Sequence, residues 1–285
     1  MKPTFILTSD WHLRETKPVA RTDAFFPAMW KKVVFIAELS EKHKAPVLHS
    51  GDLYHHWKPS PDLLTRTIRA LPDIFYTIYG NHDLPEHSLE QQELSGVHTL
   101  WVGQRLDIPI NGVHWGLKPE KATFIKNNRK ILMWHVLTYP GKDLPYPGCE
   151  EMSAKQILKK YSEYDLIVTG DNHKTFVEEY QGRLLVNPGS ILRMTAAQIE
   201  HKPCVFLYYA ETNTVEQVFI PIEDNVLSRE HIDEKEERND RISAFISSLD
   251  ADWDADMSFE KNLDSFLQKN KVSKKVKSII LKCLE

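Results

Sequence analysis

Cysteine is scarce in this chain. Only Cys149, Cys204 and Cys283 occur, at spacings that match neither a disulfide framework nor a zinc site, so a reducing cytosol is the expected setting. Glycine is also sparse, at 11 of 285 residues, and no internal repeat or low-complexity segment points to a repeat architecture. No apolar run reaches membrane-spanning length, and Met1-Lys2-Pro3 leads straight into a strand-like run, so neither a membrane span nor a signal peptide is expected. A strong excess of one charge is missing too. Residues 223–260 hold 13 acidic and 4 basic side chains, and residues 261–285 hold 7 basic and 2 acidic. Subtracting these balances of −9 and +5 from the total of −4 leaves the rest of the chain neutral. That neutrality weakens the case for a freestanding nucleic-acid binder, whose affinity comes mainly from neutralising phosphates.

What is present is 41% apolar residues, enough for one α/β domain of about 220 residues with an appendage. Five apolar, β-branched runs each end in a short polar cluster. Phe5–Thr8 leads to Asp10-Trp11-His12, Pro46–Leu48 to Gly51-Asp52-Leu53-Tyr54-His55, and Ile74–Tyr79 to Gly80-Asn81-His82-Asp83. Ile131–Trp134 leads to His135, and Leu166–Thr169 to Gly170-Asp171-Asn172-His173. Each run has the length of a buried strand.

In open α/β sheets the working crevice lies beyond the carboxyl ends of the strands, so these clusters are expected to converge. The converging set of Asp10, His12, Asp52, Asn81, His135, Asp171 and His173 mixes carboxylate, carboxamide and imidazole. Such a set suits intermediate divalent ions such as Mn, Fe or Zn, and points to a two-metal centre.

The order Asp-x-His, Gly-Asp, Gly-Asn-His-Asp, His, Gly-x-x-His resembles the calcineurin-like metallophosphoesterases over about residues 1–220. More narrowly, Thr8–Leu13, Gly51–His55 with Pro59-Ser60-Pro61, and Asn187-Pro188-Gly189-Ser190 resemble nuclease subunits of the SbcD type. The resemblance implies a β-sandwich flanked by helices. It implies that Asp10, His12 and His173 hold a first metal, that Asp52 bridges, and that Asn81 and His135 hold a second. His82 would protonate the leaving oxygen with Asp83 as its orienter, and His55 would help place a substrate nucleotide. The cofactor expected is a pair of divalent ions, Mn first, with Mg or Fe as alternatives.

One position departs from the resembled pattern, since the first histidine of Gly-His-x-His is Asp171 here. Two divalent ions carry four positive charges; Asp10 and Asp52 leave two, and Asp171 would leave one. A less positive pair lowers the pKa of a shared water less and favours harder, oxygen-preferring ions. The plainer reading turns Asp171 outward and puts Asn172 or water in its place.

Between the clusters, Asp23–His43 reads as a helix with Phe26, Met29, Trp30, Val33, Val34, Ala37 and Leu39 on its apolar stripe, and Ser60–Leu71 as a second helix capped by Ser60. His56 and Trp57 offer a base an imidazole and a stacking face. Val97–Trp115 reads as two strands, with His98 and His114 as strand residues, and His49 as a satisfied strand histidine. The basic stretch Lys118–Lys130 reads as a solvated loop, with backbone tracking as its alternative, and Met152–Tyr164 as an amphipathic helix. Arg183–Val186 is a further strand. The turn at Asn187–Ser190, with Ser190 and Arg193, is a candidate anion contact. Pro203–Tyr209 and Val215–Pro221 form a hairpin around Asn213.

The expected organisation is a nuclease domain at 1–222, an acidic linker with one helix at 223–257, and a basic helical tail at 258–285. In that tail Phe259, Leu263, Phe266 and Leu267 form one stripe and Val272, Val276, Ile279, Ile280 and Leu284 another, after Ser273 as cap. So small a helix pair must dock on the domain or on a partner. The resemblance implies an SbcC-like SMC-type ATPase as that partner, DNA as substrate, and 3′ to 5′ exonuclease action with endonucleolytic nicking. Pairing of two copies is a further expectation. The rival functions are a phosphodiesterase for nucleotides or other small esters, which the neutral domain favours, and a non-catalytic scaffold, which the near-complete ligand set disfavours.

Overall fold

In the computed structural model the described residues are 1–104, 110–121, 125–251, 259–269 and 271–282. They fall into two compact units, Met1–Ser228 and Arg229–Glu285.

The first unit holds two mixed sheets. One runs β11(Thr214–Phe219), β10(Cys204–Tyr209), β1(Phe5–Thr8), β2(Val47–His49), β3(Phe75–Thr77), with β1, β2 and β3 parallel and the β10–β11 hairpin antiparallel. The other runs β4(Asn111–Val113), β6(Arg129–Trp134), β7(Leu166–Thr169), β9(Arg183–Asn187), β8(Phe176–Tyr180), with β5(Ile125–Lys126) pairing to β6. Strands β4, β6, β7 and β9 are parallel, and β8 is the antiparallel edge.

Side chains alternate across each strand and so sort the core into layers. Phe5 and Leu7 of β1, Ile131 and Met133 of β6, and Leu166 and Val168 of β7 share the core between the sheets. Ile6, Val47 and Phe75 face the other way, onto Met29, Val33 and Ile36 of α1(Phe25–His43). Leu132, Trp134 and Ile167 face Ala154, Ile157 and Leu158 of α4(Ala154–Lys160). The result is helix, sheet, sheet, helix, the α/β sandwich expected of the metallophosphoesterase fold.

Local differences from the sequence reading have physical causes. Helix α1 buries Phe25, Met29, Val33, Ile36 and Leu39, and leaves Phe26 and Val34 exposed. Its inward stripe is therefore rotated from the expected one. Ser60 caps α2(Pro61–Ala70) by accepting from the Leu63 N–H, as read. Within the stretch read as two strands, Gly96–Gln104 is a helix, α3. Its β-branched and aromatic content suggested a strand, but Ser95 accepts from the Val97 N–H and the Ser95 carbonyl from the Thr99 N–H, which starts the helix. Residues 105–109 and 122–124 of the stretches read as strand and basic loop lie outside the described residues.

The first unit extends past the expected boundary at 222. Thr22 N–H donates to the Val226 carbonyl and Ser228 N–H to the Ala20 carbonyl, which pins 223–228 to it. The second unit holds α5(Glu230–Ala251), α6(Phe259–Lys269) and α7(Lys274–Lys282). Leu263, Phe266 and Leu267 bury one another with Val272 packed on them, and Val276 is exposed. Residues 252–258, Cys283 and Leu284, and the side chains of Phe259, Ile279 and Ile280, lie outside the described residues. Among the described residues, no helix is long and apolar enough to cross a membrane.

Candidate metal centre

The carboxyl ends of strands from both sheets meet at one crevice. Four of the seven expected ligands stand in left-handed backbone conformation: Asp10 (φ 51°), His12 (45°), Asp52 (59°) and Asp171 (75°). For residues other than glycine this costs about 1–2 kcal/mol each, and such strain gathers at functional sites. The surrounding backbone holds it in place. Asp10 N–H donates to the Gly51 carbonyl and His12 N–H to the Asp52 carbonyl, each at 3.0 Å. Ser50 ties the sheets together, its Oγ donating to the Thr169 carbonyl at 2.8 Å. Two glycines permit the close approach: a Cβ on Gly51 would collide with the His135 ring, and one on Gly80 with the Asp52 carboxylate.

Asp52 lies at the middle. Its Oδ1 accepts from the His82 N–H at 2.9 Å, and its Oδ2 is 3.6 Å from both His12 Nε2 and His135 Nε2. Donor atoms of Asp10, His12 and His173 fall within 4.8 Å of one another, as do those of Asp10, Asp52 and His135. Asn81 Oδ1 is 3.2 Å from His135 Nε2. Asp171 turns inward, with Oδ1 4.0 Å from His135 Nε2 and its N–H donating to Asp10 Oδ1 at 3.0 Å. Asn172 is occupied elsewhere, donating through Nδ2 to the Thr138 carbonyl at 2.7 Å.

The chemistry of these donors fits a cation. His135 Nδ1 is 2.6 Å from the Ser50 carbonyl, which can only accept, so Nδ1 carries the proton and the lone pair on Nε2 faces the Asn81 oxygen. His12 Nε2 and His173 Nε2 stand 3.0 Å apart, where one can donate to the other or both can reach one cation. The His135 lone pair and the amide oxygen it faces need a proton or a metal ion between them. The electrostatics agree. Burial raises the Asp52 carboxyl well above the carboxylate range, and it also raises Asp171. Burial, with His173 and the other imidazoles, holds His12 well below the ordinary imidazole value. His135 is raised instead, because Asp52, Asp10 and Asp171 outweigh its burial.

His82 flanks this set, its ring centroid 4.8 Å from that of His12. Its orienter is not Asp83. His82 Nδ1 donates to the His55 carbonyl at 3.0 Å. Asp83 is fully buried and accepts from the N–H groups of Leu53, Tyr54 and Gly80 at 3.0–3.2 Å, so it shapes the loop that carries Asp52. Burial pushes its carboxyl up to about 6 despite those three donors. The His55 ring stacks on His82 at 5.3 Å, and burial, with Arg14 next, lowers it to about 4. A backbone carbonyl as orienter leaves no mark in a sequence, which is why this contact was not foreseen.

Two of the three substrate contacts expected from sequence are placed differently. Ser190 is fully buried, donates to the Leu192 carbonyl and accepts from the Leu192 N–H, so it holds the turn. Arg193 is 6% exposed and donates to the carbonyls of Ile199 and Glu223. It belongs to a buried basic group with Arg21, which pairs with Asp23, and Lys32, whose Nζ is 3.5 Å from the Pro221 carbonyl. Neither Ser190 nor Arg193 therefore offers a free group to an anion. Trp57 is half-buried on the loop after His55, its ring stacked on His56 with Lys58 Nζ 5.9 Å away. His49 is a satisfied strand histidine, 2.8 Å from Thr77 Oγ1.

Two facing sheets with carboxylates and imidazoles gathered at their strand ends define a metal-dependent phosphoesterase. Residues 4–212 match the calcineurin-like phosphoesterase superfamily domain, and the chain belongs to that superfamily, whose centre is dinuclear. No curated protein is significantly similar in sequence. Among solved structures, an archaeal phosphodiesterase is 16% identical over 75% of this chain and 98% of its own, with a TM-score of 0.44. Vps29 of Entamoeba histolytica, complexed with zinc, is 16% identical over 76% and 99%, with a TM-score of 0.38. A protein of Thermus thermophilus, TT1561, is 13% identical over 78% and 100%, with a TM-score of 0.47.

Proposed function

We propose that the chain is a two-metal phosphodiesterase acting on DNA, an SbcD-like 3′ to 5′ exonuclease with nicking activity near ends or hairpins. The observation that carries the phosphodiesterase reading is Asp52 Oδ2 standing 3.6 Å from both His12 Nε2 and His135 Nε2, a carboxylate oxygen poised between two imidazoles. Asp10, His12 and His173 would hold one ion and Asn81, His135 and Asp171 the other, with Asp52 shared. When bound, the ions would supply Lewis acidity toward the phosphate and acidify water. Three carboxylates in the set favour Mn or Mg over Zn.

The chain's own residues supply the rest. His82 donates from Nδ1 to the His55 carbonyl, so as the imidazolium it would give its Nε2 proton to the departing oxygen while the Nδ1 bond holds the ring in place. His55 fixes the plane of that ring by stacking on it. Asp83 keeps the Asp52 loop in shape through three backbone donors. For DNA, the support is the SbcD-like motif set together with the His56–Trp57 pair on the loop leaving His55, a stacking platform for a base. Partner docking through 258–285 to an SbcC-like ATPase is supported by the amphipathic pattern of α6 and α7, the four lysines of α7 and the exposed Val276.

A second reading, hydrolysis of nucleotides or other small phosphodiesters, is favoured by the burial of Arg193 and Ser190, which removes two expected contacts to a DNA backbone. The two are separated by Mn-dependent digestion of end-labelled duplex and single-stranded DNA beside a small chromogenic phosphodiester, with Asp52→Ala as control. DNA digestion lost in the control supports the nuclease. Turnover of the small ester alone moves the assignment to the second reading.

A further inference from the structure

The chain leaving Asp83 turns through Leu84, Pro85, Glu86, His87 and Ser88. Leu84 and Pro85 are buried and anchor the turn, whereas Glu86 and His87 are exposed. These two consecutive residues, neither a glycine, both lie in the left-handed region, at φ 49° and 56°. Asparagine or glycine would adopt that backbone at less cost. The strain has a visible result: the His87 ring comes to rest 6.0 Å from the ring of His82, at 74° to it. There His87 Nδ1 lies 2.7 Å from the backbone carbonyl of Asn81.

A carbonyl cannot donate, so Nδ1 carries the proton of this contact and Nε2 of the neutral ring is an acceptor. The exposed edge of His87 thus presents an acceptor beside the residue that would protonate the departing oxygen. We infer that His87 contacts the departing half of the substrate, its Nε2 accepting a hydrogen bond from a hydroxyl or amino group there. This inference rests on the phosphodiesterase reading and deepens it. It makes the preferred leaving group one that carries a donor, such as a nucleoside with its sugar hydroxyls, rather than a bare aryl alcohol. The plainer alternative is that His87 only closes the turn by satisfying the Asn81 carbonyl.

His87→Asn separates the two. The Asn side-chain amide can replace Nδ1 as donor to the Asn81 carbonyl and suits the left-handed backbone, so the turn is kept while Nε2 is removed. The experiment compares wild type and His87→Asn with Mn for a dinucleotide and for bis(p-nitrophenyl) phosphate, whose leaving group has no donor, alongside thermal melting. The expected result is a KM for the dinucleotide raised about fivefold, the size of one neutral hydrogen bond, with kcat within about twofold. The change for the aryl ester should be under about twofold, and the melting temperature should not fall. His87→Gln, which returns an acceptor near the Nε2 position but gives up the tether, should recover part of the dinucleotide KM. Equal losses on both substrates, a fall in melting temperature that accompanies them, or an unaltered dinucleotide KM would each overturn the role. A wild type that turns over neither substrate with Mn would instead overturn the phosphodiesterase reading, and this inference with it.

Discussion

Two groups of buried charge sit in the first unit, and they are built to opposite ends. At the strand ends, Asp10, Asp52 and Asp171 are gathered with the imidazoles of His12, His82, His135 and His173, with Asp10, His12, Asp52 and Asp171 on left-handed backbone and the His135 Nε2 lone pair facing Asn81 Oδ1 at 3.2 Å. At the β9–β10 connection, Arg21, Lys32 and Arg193 are buried too, yet their protons reach Asp23 and the carbonyls of Arg193, Ile199, Pro221 and Glu223. The first group is short of positive charge and suits a cation. The second already has acceptors from the chain and works as a clasp on the 199–223 backbone. Burial of charge alone does not mark a site; what marks it is whether the chain supplies the partners.

The largest effect that would break this comparison is loss of Asp52. Asp52→Ala should lower phosphodiester turnover by about 10³-fold or more, since it removes the shared ligand of a centre expected to carry most of the charge stabilisation. It should leave the metal-free protein no less stable, because a buried carboxylate raised by burial is removed. Turnover assays and melting with and without Mn check both halves.

Arg193→Ala should do the reverse. It should cost about 2–3 kcal/mol of unfolding free energy by removing a buried guanidinium's hydrogen bonds to the Ile199 and Glu223 carbonyls and its packing, and change kcat less than about threefold. Denaturant unfolding and steady-state kinetics read the two effects separately.

Lys32 sharpens the comparison through pH. Burial, with Arg193 and Arg21 adding repulsion, lowers its pKa from 10.5 to about 8. The unfolded chain then binds the extra proton between those values, so stability rises as pH climbs through that window. Lys32→Met should therefore raise unfolding free energy by about 1–2 kcal/mol at pH 7, and the gain should fade by about pH 10.5. Urea unfolding at several pH values tests it. A gain independent of pH would assign the effect to packing instead.

The smallest expected change concerns Asp171. Asp171→His should move metal preference from Mn toward Zn by about tenfold without abolishing binding, since an imidazole replaces an oxygen donor. Competition binding between the two ions checks it, and an unaltered preference would place Asp171 outside the coordination set.

Much of the crevice is legible in the sequence. Each of its polar clusters follows an apolar run, and a strand buried on both faces leaves that run unbroken, so β1, β6 and β7 stood out. Strand β8 did not. It is an edge strand carrying Glu178 and Glu179, and its half-buried, charged pattern reads as loop. Helix α3 was misread because Val97, Thr99 and Trp101 favour strands in isolation, and the Ser95 cap outweighed them. At the site, ligand types could be read because metal chemistry restricts them. The roles of Asp83, Ser190 and Arg193 could not, because a buried carboxylate, hydroxyl or guanidinium serves a backbone as readily as a substrate, and only the fold decides which it meets.

The central claim is that the strand-end cluster is a two-ion site made by these residues. The direct measurement is calorimetric titration of the metal-stripped chain with Mn, with bound metal quantified after dialysis. The account predicts two ions per chain for the wild type and fewer than two for Asp52→Ala, with a Mn-dependent rise in melting temperature present only in the former. One ion or none in the wild type, or two in the Asp52→Ala variant, would contradict it.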